Sequence, residues 1–396
     1  MDNSINVFIL GSRGYTKKYG GWETLVHGLI DNKIDKRIKY FVYEPVNDKK
    51  DEGIFKIDNI TCIKLYVKQT GSYQMIFFDI KSLKHVRKYI KKNCLNNCIV
   101  LNLGPRTPYM WLTRGKFKRN NIVLMQNPGG VEWKRPKWGK IAQLYIYITA
   151  YLTGIASDNI ICDSEGIREI YNELVKSKKH KKDFAAYGIY PIENFNPPKS
   201  DKIIDYFSKF GIKENQYYLI INRFMPENSY ELILSEFVKS TTKRELVLVT
   251  NIDKENDFYQ KLNKKIPFSN DHRIKFVGTL YDNEILTYLR LHAFAYINGH
   301  TLGGTNPGLL EAMYTTGCVL AYDVVFSREA CSDYAIYFDK KNTLTDAINK
   351  VENMPSETKE QLIVNARKRM MDLYNWHVIT EKYETIFINS LKEKTK

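Results

Sequence analysis

No stretch of this 396-residue sequence offers the roughly 18 consecutive apolar residues that cross a bilayer. The longest candidate, IAQLYIYITAYLTGIA at 141–156, is short and broken by polar residues, so it reads as a buried or interfacial helix. The opening MDNSINVFILGSRG has an acid at position 2 and an apolar run of only a few residues, which does not make a secretion signal. Cysteine is scarce: six residues, at 62, 94, 98, 162, 318 and 331, of which only 94 and 98 are close together. A zinc site needs more ligands nearby than His85 can supply, so no metal site is expected, and the thiols read as reduced and structural in a cytosolic protein. Two nucleotide signatures are missing as well. The glycine loop after the first strand is neither GxGxxG nor GxxxxGK[ST], which disfavours a dinucleotide site and an ATPase. Acid nearly vanishes from 101–150, where Glu132 stands alone against nine Lys and Arg residues.

What is present is a globular chain, 43% hydrophobic and 13% aromatic, enough for two substantial cores and too rich for disorder. The net charge of +16 sits in one half. Residues 1–200 hold 34 Lys and Arg against 18 Asp and Glu, and residues 201–396 hold 26 against 26. Such an asymmetry suits an anionic partner for the first half, a membrane surface or nucleic acid, although a generally lysine-rich composition is the plainer alternative.

The first half alternates strands and helices. INVFIL (5–10), IKYFVYE (38–44), ITCIKLYV (60–67), NNCIVLNLG (96–104), NNIVLM (120–125) and DNIICDS (158–164) read as strands. Helical periodicity covers 22–32, 72–92 and much of 137–153. The proline-rich YPIENFNPPKSD (190–201) reads as a linker. Strands then recur at 217–221, 245–250, 273–277, 293–297 and 317–321, with helices between them. This is the signature of α/β architecture with parallel sheets covered on both faces, built as two Rossmann-like domains facing each other across a cleft. The expected division is 1–190, 191–370, and a last segment at 371–396.

Three segments carry candidate chemistry. GSRGYTKKYGGWE (11–23) follows the first strand; Gly11, Gly14, Gly20 and Gly21 allow backbone to approach a ligand, and Arg13 is a further candidate in the same loop. QNPGGVEWKRPKW (126–138) mixes Trp133 and Trp138 with Lys134, Arg135 and Lys137, suited to a phosphate, a sugar face or a lipid headgroup. Within it Glu132 either orients and deprotonates a hydroxyl or pairs with Arg135. The third segment is HTLGGTNPGLLEAM (300–313). Pro307 fits the first turn of a helix and Asn306 or Thr305 its cap, so Gly303, Gly304 and the helix start make a diphosphate site, with Glu311 one turn in to hold a ribose diol. Arg223, just after the strand at 217–221, suits a diphosphate clamp.

The chain resembles GT-B glycosyltransferases of the large retaining family 4 and, more narrowly, bacterial rhamnosyltransferases of capsule and cell-wall polysaccharide synthesis. The landmarks are GSRG…KKYGGWETLV (11–26), NPGGVEWKRPKW (127–138), IICDSEGI (160–167), YYLIINRFMPENSYE (217–231), RIKFVGTLYDNE (273–284), GHTLGGTNPGLLEAM (299–313) and YNWHVITEKYETIF (374–387). The resemblance implies a GT-B fold, an acceptor-binding first domain, a nucleotide-sugar-binding second domain, and a last helix that crosses back to the first. It implies transfer of L-rhamnose from dTDP-L-rhamnose to a polyprenyl-diphosphate-linked saccharide with retention, at the cytoplasmic face of the membrane. No cofactor or metal is expected, because Arg223 and the helix start at 304–308 supply the charge that a metal would, and no nucleic acid, because no nucleic-acid module is visible. Arg223 resembles the family's diphosphate-binding arginine and Glu311 its ribose-binding glutamate. Glu132 and His300 are the candidates for acceptor or sugar contacts. The family's paired glutamate is absent, with Gly303 in its place. Gly129 stands where the rhamnosyltransferase branch tends to carry aspartate. The alternatives are a UDP-hexose or UDP-N-acetylhexosamine transferase of the same fold, and a non-catalytic scaffold that binds anionic membrane or nucleic acid.

Overall fold

A computed structural model describes residues 3–17 and 20–394. Asp2, and Lys18 and Tyr19 of the glycine loop, lie outside the described residues. The chain divides into two compact units. One runs to Gly188 and takes in the segment from Trp376 onward; the other is Ile189–Asn375.

The first unit contains, in chain order, β1 (Ile5–Leu10), α1 (Gly21–Asp31), β2 (Ile38–Val46), β3 (Gly53–Ile57), β4 (Ile60–Tyr66), α2 (Gln74–Lys92) and β5 (Cys98–Leu103). It continues with α3 (Tyr109–Arg119), β6 (Val123–Asn127), α4 (Lys140–Ala156), β7 (Asn159–Cys162), α5 (Glu165–Leu174) and β8 (Lys181–Phe184). The sheet order is β3-β4-β2-β1-β5-β6-β7-β8. Every residue of β1, β5 and β6 is buried, as a parallel sheet covered on both faces requires. The sheet is not wholly parallel, however: β3 runs antiparallel to β4 at the edge. Its sequence GIFKI is short and mostly exposed, so it carries no buried-strand pattern to read. Right-handed crossovers set α2, α3 and α4 side by side on one face and α1 on the other.

The second unit contains α6 (Asp201–Phe210), β9 (Tyr217–Ile221), α7 (Tyr230–Lys239), β10 (Glu245–Val249), α8 (Asp257–Lys265), β11 (Ile274–Phe276) and α9 (Asn283–Leu291). There follow β12 (Ala295–Asn298), α10 (Pro307–Thr315), β13 (Val319–Tyr322), α11 (Val325–Cys331), β14 (Ile336–Phe338), α12 (Leu344–Glu352) and α13 (Ser356–Leu373). All six strands are parallel, in the order β11-β10-β9-β12-β13-β14. The last helix, α14 (Trp376–Lys394), packs on α1 of the first unit. Its Glu384 accepts the amides of Ile34 at 2.9 Å and Asp35 at 2.7 Å, and its Tyr383 hydroxyl accepts from Asn127 at 2.9 Å. All six cysteines are free thiols, and all but Cys94 are buried.

Strand order locates the ligand crevices. In the first sheet β1 lies between β2 and β5, and in the second β9 lies between β10 and β12. At each of these places the sheet stops growing one way and starts growing the other. Loops leaving the carboxyl ends of the two central strands diverge there, which opens a crevice for ligands. In the first unit those are the loops after β1 and β5; in the second, the loops after β9 and β12.

Candidate active site

The loops after β9 and β12 are tied to each other. Asn228 donates to the carbonyl of Arg223 at 2.7 Å, and its Oδ1 lies 2.9 Å from Nδ1 of His300. Thr301 donates to the carbonyl of Glu227 through both its amide and its hydroxyl, at 3.0 Å each. Gly299 is fixed by this approach, because a Cβ there would stand 2.3 Å from the Asn228 carbonyl oxygen. One asparagine therefore sets both the backbone that carries Arg223 and the imidazole of His300. Sequence reasoning missed Asn228 because PENS offered no motif. The Arg223 side chain is exposed and has no partner among the described residues.

Beyond His300 the chain turns through Gly303 at φ +137°, a value open to glycine, and Gly303 lies against the His300 ring. Asn306 caps α10, its Oδ1 accepting from Gly308 at 2.9 Å and Leu309 at 3.4 Å. The expected cap at Asn306 is present and occupies the first-turn amides of α10, so the helix start itself offers none of them to a ligand. The open donors lie one step earlier. Gly303 and Gly304 are buried, and their amides donate to no other described residue. Glu311, on the second turn of α10, is ion-paired to Arg290 of α9 at 2.5 Å. Its other oxygen has no partner among the described residues. Thr305 is buried and Pro307 begins the helix. The structure thus brings His300, Gly303, Gly304, Asn306 and the Arg223 backbone onto one pair of loops.

In the first unit the glycine loop is held by carboxylates. Arg13 donates its amide to Glu23 at 2.7 Å, and Thr16 donates amide and hydroxyl to Glu44 at 3.0 Å each. Gly14 has φ +100°, and a Cβ there would strike Glu44; a Cβ on Gly20 would strike Glu23. Two of the loop's four glycines therefore make room for its own acidic anchors, and Gly21 opens α1. From the loop after β5, Arg106 donates to the Gly11 carbonyl at 3.0 Å and to Asp79 of α2 at 3.2 Å. Asp79 is fully buried, and that burial raises its carboxyl to about 6 against the pull of Arg106. Neither residue stood out in the sequence, though Arg106 follows Gly104-Pro105 at a strand's carboxyl end. Trp22 lies over the same region. A Cβ at Gly104 would be 3.0 Å from its ring, and one at Gly129, where φ is +65°, would be 2.9 Å away. An aspartate at position 129 would have to displace that tryptophan.

The basic aromatic segment folds around Glu132. Its carboxylate takes Arg135 at 2.7 Å, Lys137 at 2.7 Å and the Trp138 indole N–H at 2.9 Å. Partial burial pushes its pKa up, but Lys137, Arg135 and Trp138 together hold it below the ordinary carboxylate range. Of the two roles open to Glu132, this geometry is that of an ion-pair hub. Trp133 packs edge-on against Tyr147 and Tyr171, and Lys137 covers the face of Trp138 at 4.9 Å. Lys134 points outward, exposed. Among the described residues no group of His, Cys, Asp and Glu could hold a metal ion.

Comparison with known proteins fits this architecture. Residues 4–190 match the family described as a domain of unknown function, DUF1972, and residues 202–369 match the family described as glycosyl transferases group 1. No curated protein sequence matches the chain. Among solved structures, sucrose-phosphate synthase from Thermosynechococcus elongatus superposes with a TM-score of 0.74 at 15% identity, covering 98% of this chain and 100% of that one. HepE from Anabaena, in complex with UDP, gives 0.70 at 13%, covering 97% and 100%. A glycosyltransferase from Rickettsia africae gives 0.70 at 16%, covering 98% and 99%. These likenesses reach over whole chains at low identity, and what they show is the fold: two Rossmann-like α/β domains of the GT-B type.

Proposed function

We propose that this protein is a glycosyltransferase that moves L-rhamnose from dTDP-L-rhamnose to a polyprenyl-diphosphate-linked saccharide in surface polysaccharide synthesis, with retention, at the cytoplasmic face of the membrane. The observation that carries the transferase reading is the glycine turn at Gly303 and Gly304, whose amides donate to no other described residue, on a loop tied to that of Arg223. Breaking a glycosidic bond to a nucleotide leaves negative charge on the departing diphosphate. Fixed amides and a guanidinium aimed at that charge stabilise it more in the transition state than in the ground state. They supply the neutralisation that a divalent ion would otherwise give, so chelators should leave the rate unchanged. Glu311, oriented by Arg290, accepts from the ribose hydroxyls. His300, oriented by Asn228, contacts the sugar. The match of residues 202–369 to glycosyl transferases group 1 supports the same reading.

The acceptor belongs to the first unit. The +16 of net charge on residues 1–200 and the loops after β1 and β5 suit an anionic, lipid-linked diphosphate. Rhamnose and the family-4 branch rest on the motif resemblance. A UDP-hexose donor is the second reading, favoured by the UDP bound in HepE.

The test offers the purified protein dTDP- and UDP-sugars with a synthetic lipid-diphosphate monosaccharide and reads products by mass spectrometry. Addition of a deoxyhexose from dTDP-rhamnose alone is the expected result. Transfer of a hexose from a UDP-sugar replaces the donor and keeps the reaction class. Absence of both transfer and nucleotide binding overturns the reading in favour of a non-catalytic scaffold.

A further inference from the structure

Helix α4 is uncharged after its first residue, with Gln143, Thr149 and Thr153 as polar breaks in an otherwise apolar and aromatic run. From Ile141 to Ala156 it has no charged residue. A helix of that composition belongs in a core. Its inner face is indeed packed against α3 and β6, burying Thr149, Ala150, Thr153 and Gly154. Among the described residues no element covers its outer face, although the Tyr145 hydroxyl at its margin donates to the Arg106 carbonyl at 3.0 Å. Ile141 is 88% exposed and Leu144 59%, with Tyr145, Ile148 and Tyr151 continuing the line in the open. The spacing i, i+3, i+4, i+7, i+10 makes these five one continuous stripe along the helix. On the neighbouring α3, Trp111 and Leu112 are exposed as well. A contiguous apolar surface of this kind on a folded domain marks a contact site.

Its charge rim selects the occupant. Lys134 and Lys140 stand at the start of the stripe, both exposed and without ion-pair partners among the described residues, and Lys116, Lys118 and Arg119 lie on α3. The one acid of 101–150, Glu132, is already neutralised by Arg135 and Lys137. A second copy of this chain would set one positive rim against another. An anionic bilayer supplies both halves of the complement, an apolar interior for the stripe and negative headgroups for the lysines. Tyrosines at the boundary suit the interfacial zone. At 1.5 Å per residue the 17-residue helix is about 26 Å long, and among the described residues no helix is long and apolar enough to cross a membrane. The geometry is that of a helix lying in the plane of the interface.

We propose that the outer face of α4 docks on an anionic membrane, with Ile141, Leu144, Tyr145, Ile148 and Tyr151 at the acyl boundary and Lys134 and Lys140 against the headgroups. The proposal deepens the acceptor half of the function above. It rests on that reading for its purpose and on α4 alone for its geometry.

The test is flotation of the full chain with phosphatidylcholine vesicles, with and without phosphatidylglycerol. The expected result is binding that needs phosphatidylglycerol and weakens with salt. Leu144→Asp with Ile148→Asp should reduce partitioning about tenfold or more, from lost burial of two aliphatic side chains. Lys134→Glu with Lys140→Glu should remove the lipid selectivity. Circular dichroism and nucleotide affinity of the aspartate variant should match the parent, which separates lost docking from lost folding. Equal binding of parent and aspartate variant overturns the proposal. So does a parent that is dimeric and becomes monomeric on the same substitutions, because the stripe would then face a second copy. Transfer to a short-chain, water-soluble acceptor is read in parallel. If that transfer fails while vesicle binding holds, the function is at fault and the docking surface stands.

Discussion

Arg290 holds Glu311 across the α9–α10 contact, Nη2 to Oε2 at 2.5 Å, with the arginine largely buried and the carboxylate half-exposed. One oxygen is fixed by the guanidinium and the other is left for a ligand. Replacing the carboxylate by an amide keeps the shape and loses the charge-assisted bond, which is worth about 1.5–3 kcal/mol. Glu311→Gln should therefore raise the donor KM roughly ten- to a hundredfold and change kcat less. Arg290→Gln should move KM the same way by a smaller factor, because the carboxylate remains but loses its orientation. Steady-state kinetics on both variants checks this. An unchanged donor KM in Glu311→Gln would remove Glu311 from the nucleotide site.

Asn306 separates the stability of α10 from its use. Its side chain caps Gly308 and Leu309, so Asn306→Ala should destabilise the protein by about 1 kcal/mol. Asn306→Asp keeps a capping oxygen and adds a negative charge beside Gly303 and Gly304. That variant should melt near the parent temperature yet bind a nucleoside diphosphate far more weakly. Thermal melts paired with calorimetric nucleotide titration distinguish the two. If the aspartate variant binds as tightly as the parent, the diphosphate does not sit at this loop.

Much of this was legible before any coordinates. The buried strands β1, β5, β9 and β10 are legible because a strand covered on both faces is predominantly apolar, with Asn6 in β1, Asn102 in β5 and Glu245 at the start of β10 as the exceptions. The turn into α10 was legible because Pro and Asn carry their backbone geometry with them. The antiparallel β3 was not, since an exposed edge strand has no face to pattern. The Asp79–Arg106 pair was hidden for a different reason. Asp79 lies mid-helix 27 residues from its partner, and only the strand order, which lays the chain's return beside β1, brings the two together. Asn228 was hidden because an asparagine that braces two loops looks in sequence like any turn residue. Glu132 shows the limit in reverse: its pairing with Arg135 was visible in the sequence, while Lys137 and Trp138 as further partners come only with the distances.

Gly28 provides a test of how α14 is seated. Glycine inside a helix ordinarily costs about 1 kcal/mol relative to alanine, so Gly28→Ala should stabilise an isolated α1. In this protein a Cβ at Gly28 would lie 2.4 Å from the buried ring of Trp376, and one at Gly188 2.5 Å from the same ring. Gly28→Ala should therefore destabilise by about 1–3 kcal/mol, the usual cost of overpacking. Adding Trp376→Leu should recover part of that loss, giving a coupling energy between the two sites. Chemical denaturation of the single and double variants measures it. Strict additivity would mean that the two residues do not meet.

Asp79 makes a prediction about pH whose sign is set by burial. Its carboxyl is raised to about 6 in the folded protein, chiefly because the side chain is fully buried, while Arg106 pulls the other way. In the unfolded chain it returns to about 4. Between these values the folded state holds the proton more tightly. The group's contribution to stability is therefore full below about pH 4 and is lost as pH rises through about 6. Asp79→Asn removes the titration and keeps the shape. The stability of the parent minus that of the variant should fall by on the order of 1 kcal/mol or more between pH 4 and 6, then level off. Subtraction is needed because other carboxylates, such as Asp35 and Asp271, are lowered by their arginine partners and slope the opposite way. Arg106 also donates to the Gly11 carbonyl, so hydrogen exchange across 11–14 should quicken in the variant if the Asp79 charge is what holds that arginine in place. Parallel stability curves for parent and variant would show that Asp79 titrates at its ordinary value and that Arg106 outweighs its burial.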